Sequence, residues 1–170
     1  MLRSRKWRLI VEAGGAAIVV FSLLLVVFEL RQNTDALKGS TVDAITEHGQ
    51  FELYWSSEIA PIIVKAVQDP AQLDIVEAFQ LGEWLTSAMN ARQNEFAQYR
   101  LGLLDEQSWT ALENVIEVIL GYDWAREWWS INRSTLFNQE FVVHVDKIVD
   151  ESTFEYAKVL DQLSEIGTKK

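Results

Sequence analysis

The sequence contains no cysteine, and among its 170 residues there are only two prolines, eight glycines and two histidines. Without sulfur there is no disulfide framework, thiol nucleophile, cysteine-ligated zinc or iron–sulfur cluster, because each needs the cysteine side chain itself. No stretch alternates apolar and polar residues strictly, and chain breakers are scarce, which argues against a strand-rich fold with many tight turns. Basic residues are also in short supply: 15 Lys and Arg face 25 Asp and Glu, a net charge of −10. That balance excludes the usual nucleic-acid binder, which needs cations to replace phosphate counterions. A chain of this length holds one ordinary core plus one appendage.

What the chain does have is a long apolar run. Leu9 to Leu30 is interrupted by charge only at Glu12 and Glu29. As a helix its 22 positions span roughly 33 Å, enough for the hydrocarbon core of a bilayer. A cleaved signal peptide is the alternative, but Phe28-Glu-Leu-Arg-Gln32 offers no small-residue cleavage site and the run is long for that role. Arg3, Arg5, Lys6 and Arg8 precede the run, and Trp7 suits the headgroup belt. The expected organisation is therefore a basic cytoplasmic tip at 1–8, a transmembrane anchor at 9–30 and a helical domain at 31–170. By the positive-inside rule the N-terminus is cytoplasmic and the domain periplasmic, in a bacterial inner membrane. Four of the basic and two of the acidic residues lie in the first 30 positions, so residues 31–170 carry 11 against 23, a net of −12. Within the anchor, Ala13, Gly14 and Ala17 are small residues that let helices approach closely, and Phe28 closes the apolar run.

The remainder reads as helices. Asn33-Thr34-Asp35 offers caps for a first helix over 34–54, either separate from the anchor or continuous with it, with Val42, Ile45, Gly49 and Leu53 at helical spacing. Ser56-Ser57-Glu58 resembles the start of a second helix, with Pro61 in its first turn and an end near Asp69-Pro70. A central helix is expected over 73–99, with Ile75, Phe79, Gly82, Leu85, Met89 and Phe96 on one side and Leu81, Trp84 and Ala88 on another. Asp105 or Ser108 caps a fourth helix carrying Trp109, Leu112, Ile116, Ile119 and Leu120, with Glu113 and Glu117 on its wet face. After a stop at Gly121 comes an aromatic helix, and then a segment over 138–166 with Phe141, Val145, Ile148, Val149, Phe154, Ala157 and Leu160. The fold class is all-α: one anchor followed by an antiparallel bundle of about five or six helices.

Three strings carry a resemblance: Phe28-Glu-Leu-Arg-Gln-Asn-Thr34, Tyr99-Arg-Leu-Gly-Leu-Leu-Asp-Glu-Gln-Ser-Trp109 and Ala125-Arg-Glu-Trp-Trp129. With them the chain resembles, over nearly its whole length, a widespread uncharacterised group of bacterial single-pass membrane proteins. The resemblance implies an apolar N-terminal helix, an Arg-Gln-Asn-Thr exit and a small helical domain. It implies no activity, cofactor or site residue.

Chemistry-bearing patterns are few. His48 and His144 sit in no nucleophile motif, and the residues three before them, Ile45 and Phe141, exclude the Glu-x-x-His pattern of bundle di-iron sites. The pairs His48–Glu52 and Glu140–His144 have ligand spacing but lack a third partner, so no metal and no cofactor is expected. No glycine-rich phosphate loop is present. The most unusual stretch is Trp124 to Phe141: clustered tryptophans commonly fill a core, but Trp124, Trp128 and Trp129 with Arg126 and Arg133 also have the composition of a contact surface. Two functional classes follow. One is a non-enzymatic interaction protein, an accessory or scaffolding subunit whose partners are the bilayer and an integral membrane protein or further copies of itself. The other is a periplasmic ligand-binding or sensory module with a cavity between helices lined by residues such as Trp84, Met89 and Trp109.

Overall fold

In a computed structural model, residues 2–152 are described, and among them every regular element is helical. Two compact units divide the chain, residues 1–40 and residues 41–170. The division falls beyond the end of the apolar run at Leu30.

The first element, α1 (Leu2–Glu58), is one unbroken helix of 57 residues, so the helix expected over 34–54 is continuous with the apolar segment before it. The physical reason is local. Thr34 does not cap a new helix; its hydroxyl donates back to the Leu30 carbonyl at 2.9 Å, which the intact helix permits. The helix contains a window with mean hydropathy 2.0, none of it buried, so it is long and apolar enough to cross a membrane. Trp7 and Phe28 are exposed, and Ala13, Gly14 and Ala17 are helical positions. Ser56-Ser57-Glu58 is the last turn of α1 rather than the start of the next helix, with the Ser57 hydroxyl donating to the Tyr54 carbonyl at 2.6 Å.

The break comes at Ile59, whose side chain is buried, and α2 (Ala60–Gln68) begins with Pro61 in its first turn, where no N–H is needed. At Asp69 the backbone turns extended, and the carboxylate accepts the Ala71 N–H to open a 3₁₀ turn, Pro70–Gln72. Asp74 and Glu77 then form a full capping box on α3 (Ile75–Arg100). Gly102 ends α3 with φ +72°, a conformation that costs an L side chain about 1 kcal/mol. Asp105 caps α4 (Glu106–Ile119), accepting both the N–H and the hydroxyl of Ser108 at 2.8 Å. Helix α5 (Asp123–Leu136) follows, and Asn138 caps α6 (Gln139–Glu151). Extended backbone at Ser152 follows α6; the rest of the segment expected to reach 166, with Phe154, Ala157 and Leu160, lies outside the described residues.

The core of the second unit forms where α3, α4, α5 and α6 meet. Trp129, Phe141, Leu85, Met89, Ile116, Leu120 and Val145 are its fully buried side chains. Each large apolar side chain contributes about 1.5–3 kcal/mol on leaving water. A satellite cluster of Ile59, Ala66 and Leu81, with Trp55 and Trp84 against it, ties the α1–α2 corner to α3. The expected apolar side of α3 is only partly covered. Leu85, Met89 and Phe96 are inside, but Ile75 and Phe79 in the first turns of α3 are both exposed, while Glu77 between them pairs with Lys65 of α2.

Candidate functional site

The site is a cleft inside the second unit. Helix periodicity puts Ile45, Gly49 and Leu53 of α1 on one wall, and the same spacing of four puts Trp84, Ala88 and Arg92 of α3 on the facing one. Ile63 and Val64 of α2 and Leu112, Val115 and Ile119 of α4 complete a cavity of about 780 Å³. Its lining is dominated by aliphatic and aromatic carbon, and at Gly49 there is open space, since a Cβ added there meets no atom within 4 Å. Leu53 and Val64 remain exposed at its rim.

Two polar ties run between α1 and α3 beside the cleft. The Trp84 indole N–H donates to the Ser56 hydroxyl at 3.0 Å. Two turns further along α3, Arg92 donates from Nη2 to Glu52 Oε2 at 3.0 Å and to Glu95 Oε1 at 2.8 Å, and its Nε lies 2.7 Å from Glu95 Oε2. The guanidinium therefore holds Glu95 in a two-pronged pair and Glu52 by one bond. Arg92 and Glu95 are each 4% exposed at the side chain, and Glu52 18%. On the same face of α1, His48 Nε2 is 3.6 Å from Glu52 Oε1. Burial pushes the Glu95 carboxyl up to about 7; Arg92 opposes the rise and the nearby charge of Glu52 adds to it.

The aromatic stretch goes elsewhere. Trp129 is 2% exposed, crosses Phe141 edge-on at 6.1 Å, and donates its N–H to Asp146 at 2.9 Å. Trp124 and Trp128 are half-buried against the same core, Trp124 stacked on Tyr122 at 5.1 Å. Both arginines are engaged within the domain: Arg126 donates from Nε to the Leu120 carbonyl at 2.7 Å, and Arg133 pairs with Asp146 at 2.5 Å. Of the three residues expected to line a cavity, Trp84 does, whereas Met89 and Trp109 are packed into the core.

The two histidines differ: His48 stays beside Glu52 at 3.6 Å, whereas His144 turns away from Glu140. His144 stacks on Phe96 at 4.8 Å and pairs through Nε2 with Glu113 at 2.8 Å, which takes Glu113 off the wet face of α4. Glu140 pairs instead with Arg100 at 3.6 Å. Among the described residues, no group of three or more His, Asp or Glu is placed to hold a metal ion. The cluster that sequence reasoning missed is Glu52–Arg92–Glu95. Its signal was available: Arg92 and Glu95 continue the stripe of Leu81, Trp84 and Ala88, and a charged pair in an apolar register marks a buried ionic contact. No family model, no curated protein and no solved structure matches this chain.

Proposed function

We propose that the chain is a non-enzymatic, membrane-anchored helical module that binds an apolar small molecule in the cleft between α1, α2, α3 and α4. The observation that carries this reading is the cleft itself. A volume of about 780 Å³ lies within the range of roughly 300–1,000 Å³ typical of ligand sites. Its walls are apolar, and its charged groups already pair with one another. To test it, a fluorescent reporter is attached to full-length protein in mild detergent through Val64→Cys at the rim, the chain having no other thiol. A nitroxide-labelled alkane serves as the probe. Saturable quenching that is abolished by the cleft-filling substitution Gly49→Trp is the expected result. Quenching that never saturates, and is equal in the Gly49→Trp protein, overturns the reading.

The anchor is read as a single pass in a bacterial inner membrane, with Arg3, Arg5, Lys6 and Arg8 in the cytoplasm and the acidic domain in the periplasm. A reporter active only in the periplasm, fused after Lys170, checks the orientation; activity of a cytoplasmic reporter at the same place reverses it.

A second reading, an accessory or scaffolding subunit of a larger membrane assembly, is favoured by one feature. Ile75, Val76 and Phe79 leave a cluster of exposed apolar side chains on the first turns of α3. Repeated recovery of the protein from native membranes as a lone monomer removes this alternative.

A further inference from the structure

The ionic cluster beside the cleft holds two carboxylates and one guanidinium in a space nearly closed to water. Glu95 is fixed: it is buried, it sits three residues from Arg92 on the same helix, and it takes two of the guanidinium contacts. Glu52 comes from a different helix, makes the single contact at 3.0 Å, and has the more exposed side chain. When both carboxylates are ionised the cluster carries one surplus negative charge, and like charges at this depth repel strongly. The strain is relieved most easily at the looser member. Moving Glu52 toward water rehydrates its charge and draws α1 away from α3. A proton on Glu95 removes the surplus and leaves Arg92 to Glu52 alone.

We propose that Glu52, Arg92 and Glu95 form a proton-controlled latch on the cleft, closed when Glu95 carries a proton and loosened when it is ionised. This rests on the reading of the cleft as a ligand site and adds its regulation. The elevated proton affinity of Glu95, which titrates near neutrality at about 7, places the change within a physiological range. Among the described residues, His48 of α1 also faces the cluster, 3.6 Å from Glu52. From α4 and α6, Glu113 and His144 pair with each other at 2.8 Å, with His144 stacked on Phe96, the residue after Glu95. His48 on protonation also favours the closed latch, so the experiment has to separate it from Glu95.

Leu53→Cys on α1 and Val118→Cys on α4, both at the cleft, receive spin labels in the full chain, and their separation is measured by electron paramagnetic resonance at pH 6 and pH 8. The expected result is a longer separation at pH 8 in the wild-type background and no pH dependence in Glu95→Gln, which is permanently uncharged and keeps an oxygen for Arg92. A second variant, Glu52→Gln, leaves one carboxylate for one guanidinium and moves the transition well below neutral pH. An unchanged pH-dependent shift in Glu95→Gln assigns the transition to His48 and overturns the latch; a separation independent of pH in the wild type does so directly. Alkane quenching repeated at the two pH values reads the coupling to binding, with a change of about fivefold or more expected in the wild type and none in Glu95→Gln. Loss of saturable quenching at both pH values refutes the ligand site and leaves the label separations to decide the latch.

Discussion

Replacing Glu95 by Gln is expected to make the domain more stable at pH 8 and to flatten its dependence on pH. The folded chain holds the Glu95 proton up to about pH 7, against 4.5 for an unperturbed carboxyl. At about 1.4 kcal/mol per pH unit, that difference amounts to about 3 kcal/mol. The sign follows from proton binding: between those two values the folded state carries more protons than the unfolded one, so stability falls as pH rises through the window and levels off above it. Glu77 and Asp105 do not mask the effect. Both are held below their usual values, Glu77 by the Lys65 hydrogen bond first and then by the Asp74 N–H, Asp105 by the N–H and hydroxyl of Ser108. Their stabilising contributions are lost as pH falls through those lowered values, at the acid end. Urea unfolding of the full chain in mild detergent, followed by tryptophan fluorescence between pH 5 and 8, measures the slope. Wild-type protein as stable at pH 8 as at pH 5, or a Glu95→Gln variant with the wild-type slope, refutes the reasoning.

Three further outcomes are expected from the same unfolding assay. Trp129→Ala, at a side chain 2% exposed, costs about 3–5 kcal/mol through the cavity it leaves, and it also deprives Asp146 of the indole donor. Asp74→Ala removes the side-chain acceptor for the Val76 and Glu77 N–H groups and costs about 1 kcal/mol, with Glu77→Gln milder because the Asp74 cap survives. Gly102→Ala forces a Cβ into a left-handed backbone and costs about 1 kcal/mol, although nothing within 4 Å obstructs that Cβ.

The helices were legible because their signals are local. Asp105 lies within one turn of the Ser108 N–H it satisfies, so the chain order itself displays the cap; Asp74 with Glu77 has the same local spacing, although the expected start at 73 passed over it. The same logic misled at Thr34 and at Ser57, where hydroxyls that resemble caps bond back to carbonyls of an uninterrupted α1. Phe141 and Val145 were legible as core by periodicity alone, whereas the spacing of Trp129 suited a core and a contact surface equally. The cleft was not, because its walls come from four helices and Arg92 meets Glu52 across 40 positions of sequence, a pairing no local spacing encodes. Nor does spacing say that His144 turns to Glu113 instead of Glu140: that choice is made by the packing of α6 on α4.

Within the second unit, the attachment of α1 residues from 41 onward is uneven, and this governs how the domain comes apart. Residues 41–54 border an open cleft and are tied to α3 at Glu52, whereas Trp55 and Ile59 enter a closed apolar cluster. Detaching the first of these stretches exposes little new hydrocarbon, so it carries a small heat-capacity increment and a shallow dependence on urea. Loss of the core around Trp129 exposes much more and is steep in both. Amide protons of residues 41–54 therefore exchange through a subglobal opening that denaturant hardly accelerates, while those near Trp129 exchange only when the whole domain unfolds.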